Sequence, residues 1–284
     1  MIKKTVCSLA LVAAAVLCVQ SAMAQNYLTT PAKRSIQEYG PFTKSQTRNS
    51  SSVPASGKCG NPAASCLFYG GDFVNNPVGP PSLPNGLSNE TTTFITGSPY
   101  GGAVWVPFTV SAGHTWTVTG LFSNDQSTYG VLDQAPNVPT SAAYWAISQG
   151  ILPGIPGTTI ASGTAAATST PTGRSAFGLQ EFTVQVSGLS VTLTAGEYWM
   201  IVVPMCTNTG DPYCSERFFL SDVEYVNRLP KNAYGPLAPQ DASFFDSPFF
   251  FTTFDPTNGP LGATFGNGGD AFSAGVLGTK FPPI

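Results

Sequence analysis

The stretch Thr192–Cys206, TLTAGEYWMIVVPMC, decides how the chain is read. Thr194-Ala195-Gly196 has the composition of a turn, and eight residues later Pro204 closes an almost wholly apolar run. Side chains alternate across a strand, so Tyr198, Met200 and Val202 face one way and Trp199, Ile201 and Val203 the other. Both sets are apolar, which predicts a central strand covered on both faces, inside a sandwich with further structure packed outside one layer. A second reading displays Trp199 to a ligand, and the burial of Trp199 separates the two. Cys206 marks the strand's exit and is expected to bridge to Cys214 across a short loop.

Outward from this stretch, short runs rich in Val, Thr, Phe, Tyr and Trp recur between turn residues: AVWVPFTV, HTWTVTGLF, YGVLD, AAYWAIS, TTIASGT, LQEFTVQVSGL, VTLTAG, RFFLSDVEYV, SPFFFTTF and DAFSAGVLG. In HTWTVTGLF, Trp116, Val118 and Gly120 alternate with Thr115, Thr117 and Thr119, and in LQEFTVQVSGL Phe182, Val184 and Val186 alternate with Thr183 and Gln185. That period gives one buried and one wet face. No uninterrupted helical period of useful length appears beyond the first residues. The expected fold is all-β, a jelly-roll-like antiparallel β-sandwich forming one domain over residues 59–284.

Met1–Ala24 has the form of a secretory signal: Lys3 and Lys4, an apolar core from Leu9 to Val19, and Ala22-Met23-Ala24 as a cleavage site. The core is shorter than the about 20 apolar residues a membrane-spanning helix needs, and no integral span is expected after its removal. Residues 25–58 are polar and interrupted, a composition that predicts a disordered leader. This leader holds five basic residues and one acid, whereas five basic residues face fourteen acids from Cys59 onward, a net charge of −9. An acidic body repels phosphate backbones and excludes nucleic acid as a partner. Without the signal four cysteines remain, Cys59, Cys66, Cys206 and Cys214, an even number in an exported chain and therefore expected as disulfides between the two close pairs.

The order AYWAIS, PGTTIASGT, FTVQVSGLSVTLTAGEYWMIV and finally GGDAFSAGVLG resembles a group of secreted bacterial β-sandwich modules, with a more distant similarity to pre-peptidase C-terminal modules. The resemblance runs from about Trp105 to Gly278 and rests on turn and core residues. It implies the fold and brings no catalytic residue with it.

The chemistry available is sparse. His114 is the chain's one histidine and reads as a turn residue, and no G-x-S-x-G elbow is present. Glu181 and Glu197, on or beside strands, are the least arbitrary carboxylate pair for a glycan hydrolase. Asp125 in SNDQ, Asp211 in TGDPYC and Asp270 in FGNGGDAFS are weak calcium candidates in segments read as turns, and no other cofactor is expected. Trp199 is the candidate for glycan stacking, and Phe249-Phe250-Phe251, which must point to both faces of a strand, for an association surface. The function expected is an exported, secreted or periplasmic, non-enzymatic module with a structural, adhesive or partner-binding role toward a glycan or another surface protein. Glycan binding through aromatics is the alternative, and a carboxylate-dependent hydrolase the least favoured.

Overall fold

The computed structural model describes Cys59 and residues 65–72, 86–89, 98–127, 141–176, 179–205, 218–221, 223, 225–226, 229–230, 233–236, 243–248, 252–257 and 271–282. Fourteen strands are formed here: β1 Cys66–Tyr69, β2 Gly86–Ser88, β3 Ala103–Val110, β4 Thr115–Ser127, β5 Ala142–Gln149, β6 Thr158–Ala176, β7 Leu179–Leu193, β8 Gly196–Pro204, β9 Phe218–Ser221, β10 Tyr225–Val226, β11 Leu229–Pro230, β12 Phe244–Ser247, β13 Thr252–Pro256 and β14 Ala274–Phe281. Among the described residues no helix is long and apolar enough to cross a membrane.

One antiparallel path runs β1-β14-β4-β7-β6-β5-β8-β3-β12-β13, with the β2–β9 pair joined to β4, and it curls on itself at β6. Residues Thr158–Ala166 of β6 pair with β5, whereas Ala167–Ala176 pair with β7, so one strand belongs to both layers. The nested pairs β3–β8, β4–β7 and β5–β6 are those of a rolled-up hairpin, the jelly-roll topology expected from the sequence.

β8 stands between β3 and β5, and its two faces enter different cores. Tyr198, Met200 and Val202 join the inner core between the layers, with Phe108, Trp116, Val118, Val184, Val186, Phe245 and Val276. The Phe108 ring sits 5.9 Å from Trp116 and 5.7 Å from Tyr198, stacked on both. Trp199, Ile201 and Val203 enter an outer core with Tyr100, Trp105, Ala146, Ile151, Phe244 and Phe254. The alternation in Thr192–Cys206 thus does what it predicts: one face closes the sandwich and the other carries a second apolar layer. A third, smaller cluster holds Phe122, Tyr69, Leu277 and the Cys59–Cys66 disulfide. Cys206 and Cys214 lie outside the described residues.

Several boundaries differ from the sequence reading, each for a physical reason. SNDQ does not end β4: Ser123 to Ser127 continue the strand, fully buried, because β7 and β9 supply backbone partners and neighbouring side chains satisfy the polar groups. LQEFTVQVSGL and the first three residues of VTLTAG join in the single strand β7, with Gly188 at a positive φ of 76° where the pairing with β4 shifts register. SPFFFTTF is read as one strand, yet β12 and β13 pair with each other antiparallel; Phe249, Phe250 and Phe251 lie outside the described residues. Phe244 and Phe245 face opposite ways, into the outer and inner cores.

The β5–β6 connection shows local sequence dictating geometry. Ile155 N–H donates to Leu152 O at 2.8 Å, with Pro153 and Gly154 as the central residues and Gly154 at φ 73°. That is a type II turn, with proline presetting its first central position and glycine supplying the positive φ of its second. At Gly157, φ is 68° and a Cβ would stand 2.4 Å from Gln149 O, so glycine is required twice over.

Candidate functional site: a buried polar cluster at one end of the sandwich

Asp125 and Glu181, the two described carboxylates with no exposed surface, lie with their polar partners where the end of β4 meets the start of β7, the end of β6 and the entry of β14. Alternation on β4 divides them between the strand's two faces. On the inner face, Asp125 is fully buried and both of its oxygens are occupied: Asn89 Nδ2 donates to Oδ1 at 2.8 Å and Ser123 Oγ donates to Oδ2 at 2.5 Å. Asn89 Nδ2 also reaches Val202 O at 2.8 Å, and Ser123 Oγ lies 3.1 Å from the same carbonyl. The group therefore bolts β4 to β8 across the sandwich.

On the outer face the polar side chains form a chain. Thr183 Oγ1 donates to Asn124 Oδ1, Asn124 Nδ2 donates to Ser273 Oγ, and Tyr69 Oη, itself 3.2 Å from Ser273 Oγ, donates to Asp72 Oδ1 at 2.8 Å. Arg174 then links two acids: Nη1 is 3.0 Å from Asp72 Oδ1 and Nε is 2.5 Å from Glu181 Oε2. Thr172 Oγ1 donates to the same Glu181 oxygen at 2.6 Å, and Glu181 has no exposed surface. Arg174 and Glu181 flank the β6–β7 connection, so hairpin pairing alone brings them together.

The electrostatics follow from burial. Desolvation pushes Asp125 up to about 7, against the hydrogen bonds from Asn89 and Ser123 and with the Glu181 charge adding to the rise. Burial, the largest single influence, would lower Arg174, but the Glu181 carboxylate, Tyr69 and Asp72 together outweigh it and hold the guanidinium above its ordinary value. Burial also raises the Tyr69 hydroxyl, with Arg174 opposing.

A pH dependence is expected from Asp125. Its folded pKa lies above the unfolded one, so between about pH 4 and 7 the folded chain keeps a proton that the unfolded chain has released. Stability contributed by this group is complete below about pH 4, falls by a few kcal/mol as pH rises to about 7, and is level above that. Asp125→Asn keeps the shape, and the Ser123 hydroxyl can turn to donate to Val202 O while accepting from the new amide. Urea unfolding measured from pH 4 to pH 8 should slope downward for the native chain and run flatter for the variant; equal slopes would show that Asp125 is not the group responsible.

The other sequence candidates are scattered. Trp199 is buried at 5% exposure, 6.2 Å from the Phe244 ring. Glu197 stands at the start of β8 opposite Thr109, whereas Glu181 stands at the far end of β7. Twelve strand residues from Glu181 to Leu193 span roughly 40 Å when extended, well beyond the roughly 5–10 Å that a carboxylate pair needs. His114 Nδ1 lies 3.3 Å from Phe281 O at the opposite end from the cluster. Asp125, read as a turn residue, lies within a strand; Asp211 and Asp270 lie outside the described residues. Among the described residues no three His, Cys, Asp or Glu side chains come together as a metal-binding group.

Sequence reasoning passed over Asn89, Tyr69, Asp72 and Arg174. Arg174 did leave a signal: it is the single charge between Thr158 and Gln180, and Glu181 follows it across a short connection. No protein-family model matches the chain, and no curated protein matches its sequence.

Proposed function

We propose that this chain is an exported, non-enzymatic β-sandwich module with a structural, adhesive or partner-binding role, akin to the secreted bacterial modules its motifs resemble. The observation carrying this reading is that its buried acids and its tryptophans are engaged internally. Asp125 accepts from Asn89 and Ser123, Glu181 is paired with Arg174, and the four tryptophans are 9% exposed or less, all within the two cores. Sugar stacking needs an aromatic face open to solvent, which none of these tryptophans provides. The signal-like start and the Cys59–Cys66 disulfide support export to an oxidising compartment.

The test is a hydrolysis panel of polysaccharides, peptides and esters, comparing the mature chain with the Asp125→Asn, Glu181→Gln double variant. Equal background in both is the expected result. Turnover by the native chain that disappears in a variant with an unchanged circular dichroism spectrum would overturn the reading.

A further inference from the structure

We infer that the gap between the first half of β6 and the second half of β7 accepts an extended, uncharged peptide segment from a partner protein, added as a β-strand. The inference rests on the partner-binding reading above and names the surface and the chemistry of the partner.

The gap follows from the way β6 changes layers. β6 and β7 pair from Ala176↔Leu179 as far as Ala167↔Val186. Beyond that point β6 follows β5 into one layer, while β7 stays with β4 in the other through Leu193. β6 lies between β7 and β5 in the sheet order. Its odd-numbered residues face inward along both halves: Ala161 and Ala165 lie opposite Ile147 and Ala143, and Ala167 lies opposite Val186, all of the inner core. The strand therefore does not turn over, its two partners lie along opposite edges, and the parting strands face each other with no described strand between them.

Both backbone edges and side chains at this gap suit a visiting strand. Ala167 N–H donates to Ser141 O at 2.9 Å, so the odd residues of β6 aim their backbone groups at β5. The even ones, Ser162, Thr164 and Ala166, aim theirs at the gap. The five partly buried residues that border the inner core are Ala161, Ala165, Ala167, Leu189 and Val191, and every one lies on the two diverging strands. The inner core is thus incompletely covered along this seam, under side chains that are mostly alanine and leave room for larger ones.

Charge and length define the occupant. The chain carries no charged residue from Thr158 to Gly173, or from Phe182 to Gly196. Sheet edges are ordinarily guarded by lysine, by proline, by a covering segment or by being short, and the seven-residue edge Ala161–Ala167 carries neither charge nor proline and has no described strand beside it. It spans roughly 23 Å, the length of about seven extended residues. An uncharged partner segment with apolar side chains at alternate positions satisfies both the backbone edges and the apolar floor, which is recognition by strand addition. A charged segment would lose its hydration against a rim that offers no counter-charge.

The probe is the peptide acetyl-Ser-Val-Thr-Val-Ser-Val-Thr-amide, titrated into the mature chain by calorimetry, with amide exchange followed at Ser162, Thr164 and Ala166. A control peptide carries lysine in place of the three valines. Saturable one-to-one binding of the valine peptide, at least about tenfold tighter than the control and slowing exchange at those three amides by a similar factor, is expected. Thr164→Pro removes a donor on the gap side and leaves the β5 ladder intact, so it should weaken binding at least about tenfold. No binding at millimolar peptide, equal binding of the lysine control, or undiminished exchange on saturation would each overturn the inference. Protection of the three amides that rises with protein concentration in the absence of peptide would also overturn it, assigning the seam to a second copy of the chain. The exchange readout on the native chain stands whether or not Thr164→Pro folds. Failure here with a silent hydrolysis panel removes the seam and leaves the non-enzymatic reading intact.

Discussion

Trp199→Ala is expected to destabilise the folded chain by about 3–5 kcal/mol, the range for emptying an aromatic site in a packed core. Trp199 is 5% exposed, lies on the central strand β8 between Pro107 of β3 and Ser148 of β5, and packs against Phe244 in the outer core. The neighbours are β-strands fixed by pairing on both edges, which limits how far the site can collapse, and cavity cost rises with what stays open. Urea unfolding with an unchanged m-value checks this, since a fall in midpoint alone reports stability. A tryptophan held out for a ligand would cost no more than about 0.5 kcal/mol on removal, as at other exposed sites, and that result would return Trp199 to the binding question.

Arg174→Leu should cost about 3 kcal/mol, because removing one partner of a buried pair leaves the other uncompensated. Glu181 has no exposed surface, so its carboxylate would keep Thr172 as a side-chain donor and lose its countercharge. The Arg174 side chain is a quarter exposed, which places the cost at the lower end of the range for buried pairs. Adding Glu181→Gln removes the stranded charge, and the double variant is expected to recover at least half of the loss. Asp72 and Tyr69 share the network, so the cycle reports the pair within that setting. Additive losses in the double variant would mean that the two side chains are not coupled and that the ion pair contributes nothing to stability.

The architecture was legible wherever apolar residues alternate or run together. Val104, Val106 and Phe108, the Trp116–Val118 pair, Phe182 to Val186 and the whole of β8 announce their faces by side-chain type alone, and each is buried as that alternation requires. Legibility fails where partners distant in sequence override local character. TTIASGT reads as a strand, but AAATSTPTGR after it contains small residues of modest strand propensity, with a proline and a glycine, yet continues the longest strand because β5 holds that strand's first half and β7 its second. Ser123 to Gln126 read as a turn because a polar run is ordinarily wet. Their burial depends on Asn89, Val202 and Ser273, more than thirty residues away in each case, which no local pattern encodes. The seam has the same origin: it exists because two strands of one hairpin part company between layers, and its only trace in sequence is two long uncharged stretches.

Tyr198–Val203 is the middle of a two-layered core and is committed to the fold. Native-state amide hydrogen exchange tests it most directly. Tyr198 to Met200 pair with β3, Trp199 to Val203 pair with β5, and all six are buried, so the amides held in these ladders should exchange only through global unfolding, with opening free energies equal to that measured by denaturant. The Gly150–Gly157 turn, exposed from Leu152 onward, should exchange far faster. Amides of Tyr198 to Val203 that exchange at the rate of that turn would contradict the account.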